Sequence, residues 1–174
     1  MLGAKPVFAV LLLIATGYAA YPYVALYRLG HAIHSGDAVA LNAMVDWPAV
    51  REGIKEDICD SVADNPETTA GNGRLPEFGA SFVRGIAANA IDQRVTAEGL
   101  VSAVQQGGTA DPPRGAAVRV SWAFFDNPTQ FVVNLIAPGQ MQPITLQMSL
   151  RHSEWQVTRV WLPLELLEGA NSRT

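Results

Sequence analysis

A long uncharged stretch near the amino terminus constrains this chain more than any other feature. Residues 6–27 contain no charged side chain and include the apolar run VFAVLLLIA. A helix rises ~1.5 Å per residue, so about 20 such residues cross the ~30 Å hydrocarbon layer of a membrane. The stretch therefore predicts a membrane helix, and the rest of the 174-residue chain is long enough for one domain of common size.

The tyrosines of the chain all lie towards the end of this stretch, as Tyr18, Tyr21, Tyr23 and Tyr27. Tyrosine is enriched where a helix leaves the hydrocarbon layer, which favours a retained membrane anchor. We predict an anchor over residues 1–27, one domain over 28–165 and a short tail over 166–174. Two other interpretations stay open: the GYAA before Tyr21 is a signal-peptide cleavage site, or the helix is buried in a soluble protein.

The charged residues indicate an orientation and exclude one class of partner. Lys5 and the amino terminus precede the apolar stretch while Arg28 follows it, so the positive-inside rule favours an inside amino terminus and an outside domain. The net charge is −4, whereas nucleic-acid binding needs a basic stripe. We therefore expect no nucleic-acid partner.

Capping residues and apolar spacing predict helices after the anchor. Asp37 is expected to cap a short helix after the turn at Gly36, and Asp46 to cap the next one. That next helix has a buried stripe at the helical spacing, formed by Trp47, Val50, Ile54 and Ile58. Its opposite face carries an acidic row interleaved with basic residues, as on an ordinary solvated helix, formed by Glu52, Glu56 and Asp60.

Two more helices are predicted before the apolar period changes. One opens at Pro76 and extends to about residue 93, and the next is capped by Thr96. From residue 118 onwards the apolar period falls from about 3.6 to 2, which is typical of strands. The alternation predicts four strands in an antiparallel meander, with a bulge near Thr158 and Arg159 in the last one.

This order predicts an α+β fold, in which helices pack on one face of a curved antiparallel sheet of about four strands. Two alternating rows are the candidate inward-facing positions of the sheet. The first row is Val118, Val120, Trp122 and Phe124, and the second is Ile144, Leu146, Met148 and Leu150. Because both rows are apolar, they predict a core or an apolar pocket that carries no acid or base.

Several sequence blocks together resemble a bacterial family known as domain of unknown function 2939. The most specific block is HAIHSGDAVALNAMVDWPAVREGIK, followed by VTAEGLVSAV, WAFFDNPTQFVV and a final WQVTRVWLP. The resemblance covers most of residues 21–163 and departs after Thr96, where Ala97 stands in place of the expected proline. It implies a bacterial membrane anchor and this architecture, and it brings no activity with it. For a bacterial chain, the predicted orientation corresponds to an inner-membrane protein with a periplasmic domain.

The order of helices and sheet is also similar to the nuclear-transport-factor-2-like or cystatin-like cone. That fold hosts enzymes and pure binding modules alike, so it does not fix a function. An enzyme of this kind needs titratable groups pointing into the cone, and the predicted inward rows supply none. We therefore expect no catalysis and no catalytic residue.

His31, His34 and Asp37 are the best candidate metal ligands, since their successive spacings of three suit one helix face. Gly36 interrupts that face, and Asp37 is better explained as a cap, so we predict no metal site and no cofactor. Cys59 is the only cysteine, which excludes an intrachain disulfide and favours a small buried thiol. The GNG at residues 71–73 lacks the strand and third glycine of a nucleotide-binding turn.

The sequence thus predicts a membrane-anchored periplasmic module that binds an envelope protein or an apolar small molecule. The open alternatives are a cone-fold enzyme of the isomerase or dehydratase type and a cleaved, soluble periplasmic ligand carrier. An apolar pocket in the cone would favour binding, and a buried His or Asp with a shifted pKa would favour an enzyme.

Overall fold

The computed structural model of the chain describes residues 4–64, 77–107, 118–136 and 142–162. The helices in this part are α1 (Ala4–Ser35), α2 (Ala38–Met44), α3 (Trp47–Asp64), α4 (Glu77–Arg94) and α5 (Ala97–Gly107). The strands are β1 (Arg119–Asn127), β2 (Gln130–Ile136), β3 (Ile144–Arg151) and β4 (Glu154–Trp161). Helices followed by strands confirm the predicted α+β class.

The four strands form one antiparallel sheet in the order β1-β2-β3-β4. A tight turn at Pro128 and Thr129 joins β1 to β2, where the Asn127 side chain accepts a hydrogen bond from the Thr129 N–H at 3.0 Å. The turn between β3 and β4 places His152 and Ser153 at φ 49° and 68°. Both turns lie at the same end of the sheet, and within the described part of the chain β1 and β4 are its edge strands.

The predicted helix caps are confirmed. The Asp37 carboxylate accepts a hydrogen bond from the N–H of Ala40 at 3.0 Å, and the Asp46 carboxylate accepts one from Ala49 at 3.1 Å. Gly36 precedes the first cap with φ 69°, a conformation that suits glycine.

The corner between α2 and α3 is fastened to the sheet. The Asp46 N–H donates to the Val157 carbonyl of β4 at 2.9 Å, while the Asp46 carboxylate accepts from the Arg151 guanidinium at 2.6 Å. Val50 and Ile54 of α3 are buried, as the stripe predicts. The core therefore lies between the helices and the inner face of the sheet.

The predicted bulge in β4 is confirmed. Met148 pairs with Val157 and Gln147 pairs with Arg159, so Thr158 is an extra residue on the β4 side. A bulge of this kind bends a strand, which agrees with the predicted curvature of the sheet.

The prediction that the β1 row is buried on the inner face of the sheet is wrong. Met148 of the β3 row is buried, but each member of the β1 row has at least half of its surface exposed among the described residues. The exposed fractions are 56% for Val118, 53% for Val120, 50% for Trp122 and 58% for Phe124.

A second bulge explains why Trp122 and Phe124 face outwards, whereas Val118 and Val120 lie before it at the start of the strand. Val120 pairs with Leu135 and Trp122 pairs with Asn134, so Ser121 is inserted between two consecutive pairs. The Ser121 hydroxyl donates to the Asn134 carbonyl at 3.0 Å. Because side chains alternate between faces, one inserted residue reverses the phase of the strand, and Trp122 lies on the opposite face from Val120.

Candidate functional site

The two halves of α1 have similar apolar composition, but the first half is exposed and the second half packs against the domain. Val7 through Ile14 are exposed, with Leu13 reaching 75%. In the second half, Leu29 is 4% exposed and Ala32 is 3% exposed, because both pack in the domain core. The described residues contain one helix that is long and apolar enough to cross a membrane, and it is α1.

Three tyrosine hydroxyls near the middle of α1 bind backbone carbonyls of the sheet and its turns. Tyr18 donates to the carbonyl of Pro128 in the β1–β2 turn. Tyr21 donates to the carbonyl of Ser153 in the β3–β4 turn at 2.9 Å. Tyr23 donates to the carbonyl of Ala123 in β1 at 3.1 Å. We name these three contacts the tyrosine clamp.

The tyrosine clamp refines the sequence interpretation of these residues. Their clustering indicated a membrane interface, and the structure adds that three hydroxyls satisfy backbone carbonyls of the sheet. The turn end of the sheet is thereby fixed at the level of Tyr18 and Tyr21 along α1.

Aromatic rings fill the inner face of the sheet. Phe125 lies 5.2 Å from Phe131 and 5.9 Å from Trp155 between ring centroids, with the rings edge to face. The Tyr23 ring adds another edge-to-face contact to Phe131 at 4.8 Å. These ring pairs stabilise the core beyond the burial of their apolar surface, and the rings fill the space beneath the sheet.

The cavity beside this cluster is small. It has a volume of about 100 Å³ and lies between α1, α2 and the start of β4, where Tyr21, Arg28, Met44 and Trp155 contribute to its wall. Pockets for small molecules commonly measure about 300–1,000 Å³. Its size is too small for a typical apolar ligand.

The opposite, outer face of the sheet carries exposed aromatic rings. Trp122 and Phe124 lie 6.2 Å apart between ring centroids on β1. Phe124 pairs with the half-buried Val132 of β2. We name Trp122, Phe124 and Val132 the outer patch.

An open groove lies between α1 and the β1–β2 turn. Its volume is about 350 Å³, and its walls include Tyr18, Phe125, Asn127 and Pro128. The Tyr18 ring stacks on Phe125 with a centroid distance of 6.1 Å. The groove therefore connects the exposed apolar surface of α1 with the turn end of the sheet.

The candidate metal ligands do not form a site among the described residues. His31, His34 and Asp37 are exposed, and Asp37 caps α2 as predicted. No group of three or more metal-ligating side chains occurs in the described part of the chain. His152 is exposed in the β3–β4 turn.

Several sequence predictions fall outside the described part of the molecule, among them the tail over residues 166–174 and the helix start at Pro76. The side chain of Cys59 is not described, so its burial stays a prediction. The GNG at residues 71–73 also lies outside the described residues.

The acidic face of α3 forms ion pairs with neighbouring elements. Lys55 contacts Glu52 at 3.0 Å and Asp92 of α4 at 2.8 Å. The hydrogen bond that the Lys55 ammonium donates to Asp92, followed by the one it donates to Glu52, raises the pKa of Lys55. These contacts link α3 to α4 and agree with the solvated helix face that the sequence predicts.

A second group of ion pairs links α3 to the sheet. Arg159 of β4 contacts Asp57 at 2.8 Å and Glu56 at 3.0 Å. The hydrogen bond to Asp57 is the largest cause of the raised pKa of the Arg159 guanidinium. The charged residues of both groups are therefore paired with one another and hold α3 against α4 and the sheet.

Sequence reasoning missed the outer patch, although one signal was present. Phe124 and Phe125 are adjacent in β1, and neighbouring strand residues point to opposite faces. One of the two rings therefore had to lie outside whichever face formed the core. Phe125 is the inner ring and Phe124 the outer one.

Comparisons with known proteins support the family assignment. No significant match was found among curated proteins or solved structures, so the resemblance to a cone fold stays a prediction. A family model described as "Protein of unknown function (DUF2939)" matches residues 11–103, which extend from the exposed half of α1 into α5 and end before β1. This match covers more than half of the chain, and the chain belongs to the DUF2939 family.

Proposed function

We propose that this protein is a single-pass bacterial inner-membrane protein whose periplasmic α+β domain binds an envelope protein and performs no catalysis. The exposed apolar edge strand β1 is the observation that carries the binding function. Contiguous apolar surface on a soluble domain commonly marks an interaction site. The exposed half of α1 supports the anchor.

The packed interior favours a protein partner over a small apolar ligand. Phe125, Phe131 and Trp155 occupy the inner face of the sheet, where a cone-fold pocket would lie. The small cavity beside them leaves little room for a carried molecule. An exposed surface is then the better candidate for binding.

The end of β1 away from the turn is the part of this surface that we assign to the protein partner. Val118 and Val120 are exposed there, on the face of β1 opposite to Trp122, and the 41% exposed Ile136 of β2 pairs with the intervening Arg119. As an edge strand, β1 also offers backbone groups that a partner strand can bind.

Photocrosslinking tests this assignment. A photoreactive side chain replaces Val120 in one variant and the more exposed Val39 of α2 in a matched control. We expect a discrete crosslinked protein from residue 120 that is absent from residue 39. Identical patterns at both positions would contradict a docking surface on β1.

Thiol labelling tests the orientation. In a Cys59→Ser background, Asn42→Cys places a thiol at an exposed position of α2, and Leu2→Cys places one before the membrane segment. A membrane-impermeant maleimide added to spheroplasts should label residue 42 at once and residue 2 only after lysis. The reverse order would place the domain in the cytoplasm.

A further inference from the structure

The length of the free part of α1 limits where the domain sits relative to a bilayer. The helix rises only about 20 Å from Lys5 to Tyr18, whereas the hydrocarbon layer is about 30 Å thick. The uncharged stretch continues to Tyr27, so its composition permits a longer span. A full crossing therefore extends several residues beyond Tyr18.

The tyrosine clamp lies within this additional length. Tyr18 and Tyr21 are bound to the β1–β2 and β3–β4 turns, and Tyr23 is bound to β1. The helix cannot enter the bilayer beyond Tyr18 without bringing the turn end of the sheet along. Local thinning of the bilayer or extension of the Lys5 side chain reduces the mismatch, but each carries a free-energy cost.

The surface at this end is suited to lipid. Phe124 is exposed near the β1–β2 turn, and Trp122 follows one step farther along the same face. The groove at the turn is lined by Tyr18, Phe125 and Pro128, together with the polar Asp126 and Asn127. Tryptophan and tyrosine are enriched at the boundary between headgroups and acyl chains, and phenylalanine occurs on the buried face of interfacial helices.

We propose that the β1–β2 turn and Phe124, followed by Trp122, insert into the interface of the same bilayer that α1 crosses. This inference rests on the proposed membrane anchor and names lipid as the partner of the outer patch. Val118 and Val120 lie farther along β1 from the turn and stay available to a protein. The domain is then held at a fixed orientation on the membrane surface by α1 and by the sheet end.

Lipid quenching of a site-specific dye tests the proposal on the full chain. Phe124→Cys and Val39→Cys, each with Cys59→Ser, are labelled with an environment-sensitive fluorophore and reconstituted into phosphatidylcholine vesicles. One vesicle set carries bromine on the acyl chains close to the headgroup. Val39 is the matched control because it is exposed and follows the far end of α1.

We expect brominated lipid to quench the dye at residue 124 strongly and to leave the dye at residue 39 almost unchanged. Equal and weak quenching at both positions would overturn the insertion of the sheet end, including the case in which a second copy covers Phe124. Circular dichroism of the labelled variants checks that the fold is retained.

Flotation of the same vesicles separates this proposal from the anchor on which it rests. Protein that floats with the vesicles but lacks quenching at residue 124 retains its anchor and contradicts only the insertion. Protein that stays at the bottom of the gradient contradicts the anchor itself.

Discussion

The two halves of α1 are built from similar residues and have different surroundings. Leu12 and Leu13 in the first half are exposed, while Leu29 in the second half is buried against the domain core. The change occurs around Tyr18 to Tyr23, where tyrosine hydroxyls bind the sheet. Apolar composition is thus similar in the two halves, and the packing of the rest of the chain decides which half is covered by the domain and which half stays exposed.

Removing the first half of α1 should produce the largest effect. Deleting residues 1–17 keeps the clamp residues and removes the exposed apolar half of α1. We expect the protein to leave the membrane fraction completely in a flotation assay while its circular dichroism spectrum keeps its helix and sheet signals. Persistent flotation of a folded protein would show that the anchor lies elsewhere.

A leucine-to-aspartate substitution should affect a different property in each half of α1. Leu29→Asp buries a carboxylate in the core and should lower the free energy of unfolding by about 4 kcal/mol in detergent. Leu12→Asp should leave unfolding of the domain unchanged and should oppose membrane insertion by about 3 kcal/mol.

Denaturant unfolding and insertion assays of both variants measure these two effects. Equal destabilisation of the domain by both substitutions would remove the distinction between the halves.

The two faces of the sheet offer the same comparison on a smaller scale. Phe131→Ala removes a buried ring of the inner face and should cost about 3–5 kcal/mol of unfolding free energy. Phe124→Ala removes a ring from the exposed outer face and should change the unfolding free energy in detergent by no more than about 0.5 kcal/mol. Thermal or denaturant unfolding checks the pair, and a large loss for Phe124→Ala would mean that the outer patch is covered within the domain.

A single hydroxyl of the tyrosine clamp should have the smallest effect. Tyr21→Phe removes the hydrogen bond to the Ser153 carbonyl and should lower the unfolding free energy by about 1 kcal/mol. Tyr27→Phe is the matched control, because Tyr27 is 77% exposed, and should change stability little. An unchanged midpoint for Tyr21→Phe in denaturant unfolding would indicate that this contact does not hold the helix to the sheet.

Local patterns in the sequence predicted much of this architecture. Asp37, Asp46 and Thr96 were assigned as helix caps because a capping side chain acts within three residues. The bulge at Thr158 was visible because the apolar phase of β4 changes there.

Features that depend on distant contacts were not predictable in the same way. The bulge at Ser121 lies inside an unbroken apolar alternation, so only the pairing with β2 reveals it. The clamp joins Tyr18 to Pro128 and Tyr21 to Ser153, residues more than one hundred positions apart. The outer patch depends on this bulge, which explains why sequence reasoning placed Trp122 and Phe124 inside.

A spin-label scan along α1 tests the central claim, that the helix passes from lipid to protein and water near Tyr18–Tyr23. Single cysteines at Val10, Ile14 and the exposed Gly30, in a Cys59→Ser background, are labelled in vesicles that contain the full chain. The account predicts that labels at residues 10 and 14 are accessible to oxygen and protected from a water-soluble nickel complex, while the label at residue 30 is accessible to nickel. Access of nickel to all three positions would contradict the claim that the first half of α1 lies in lipid.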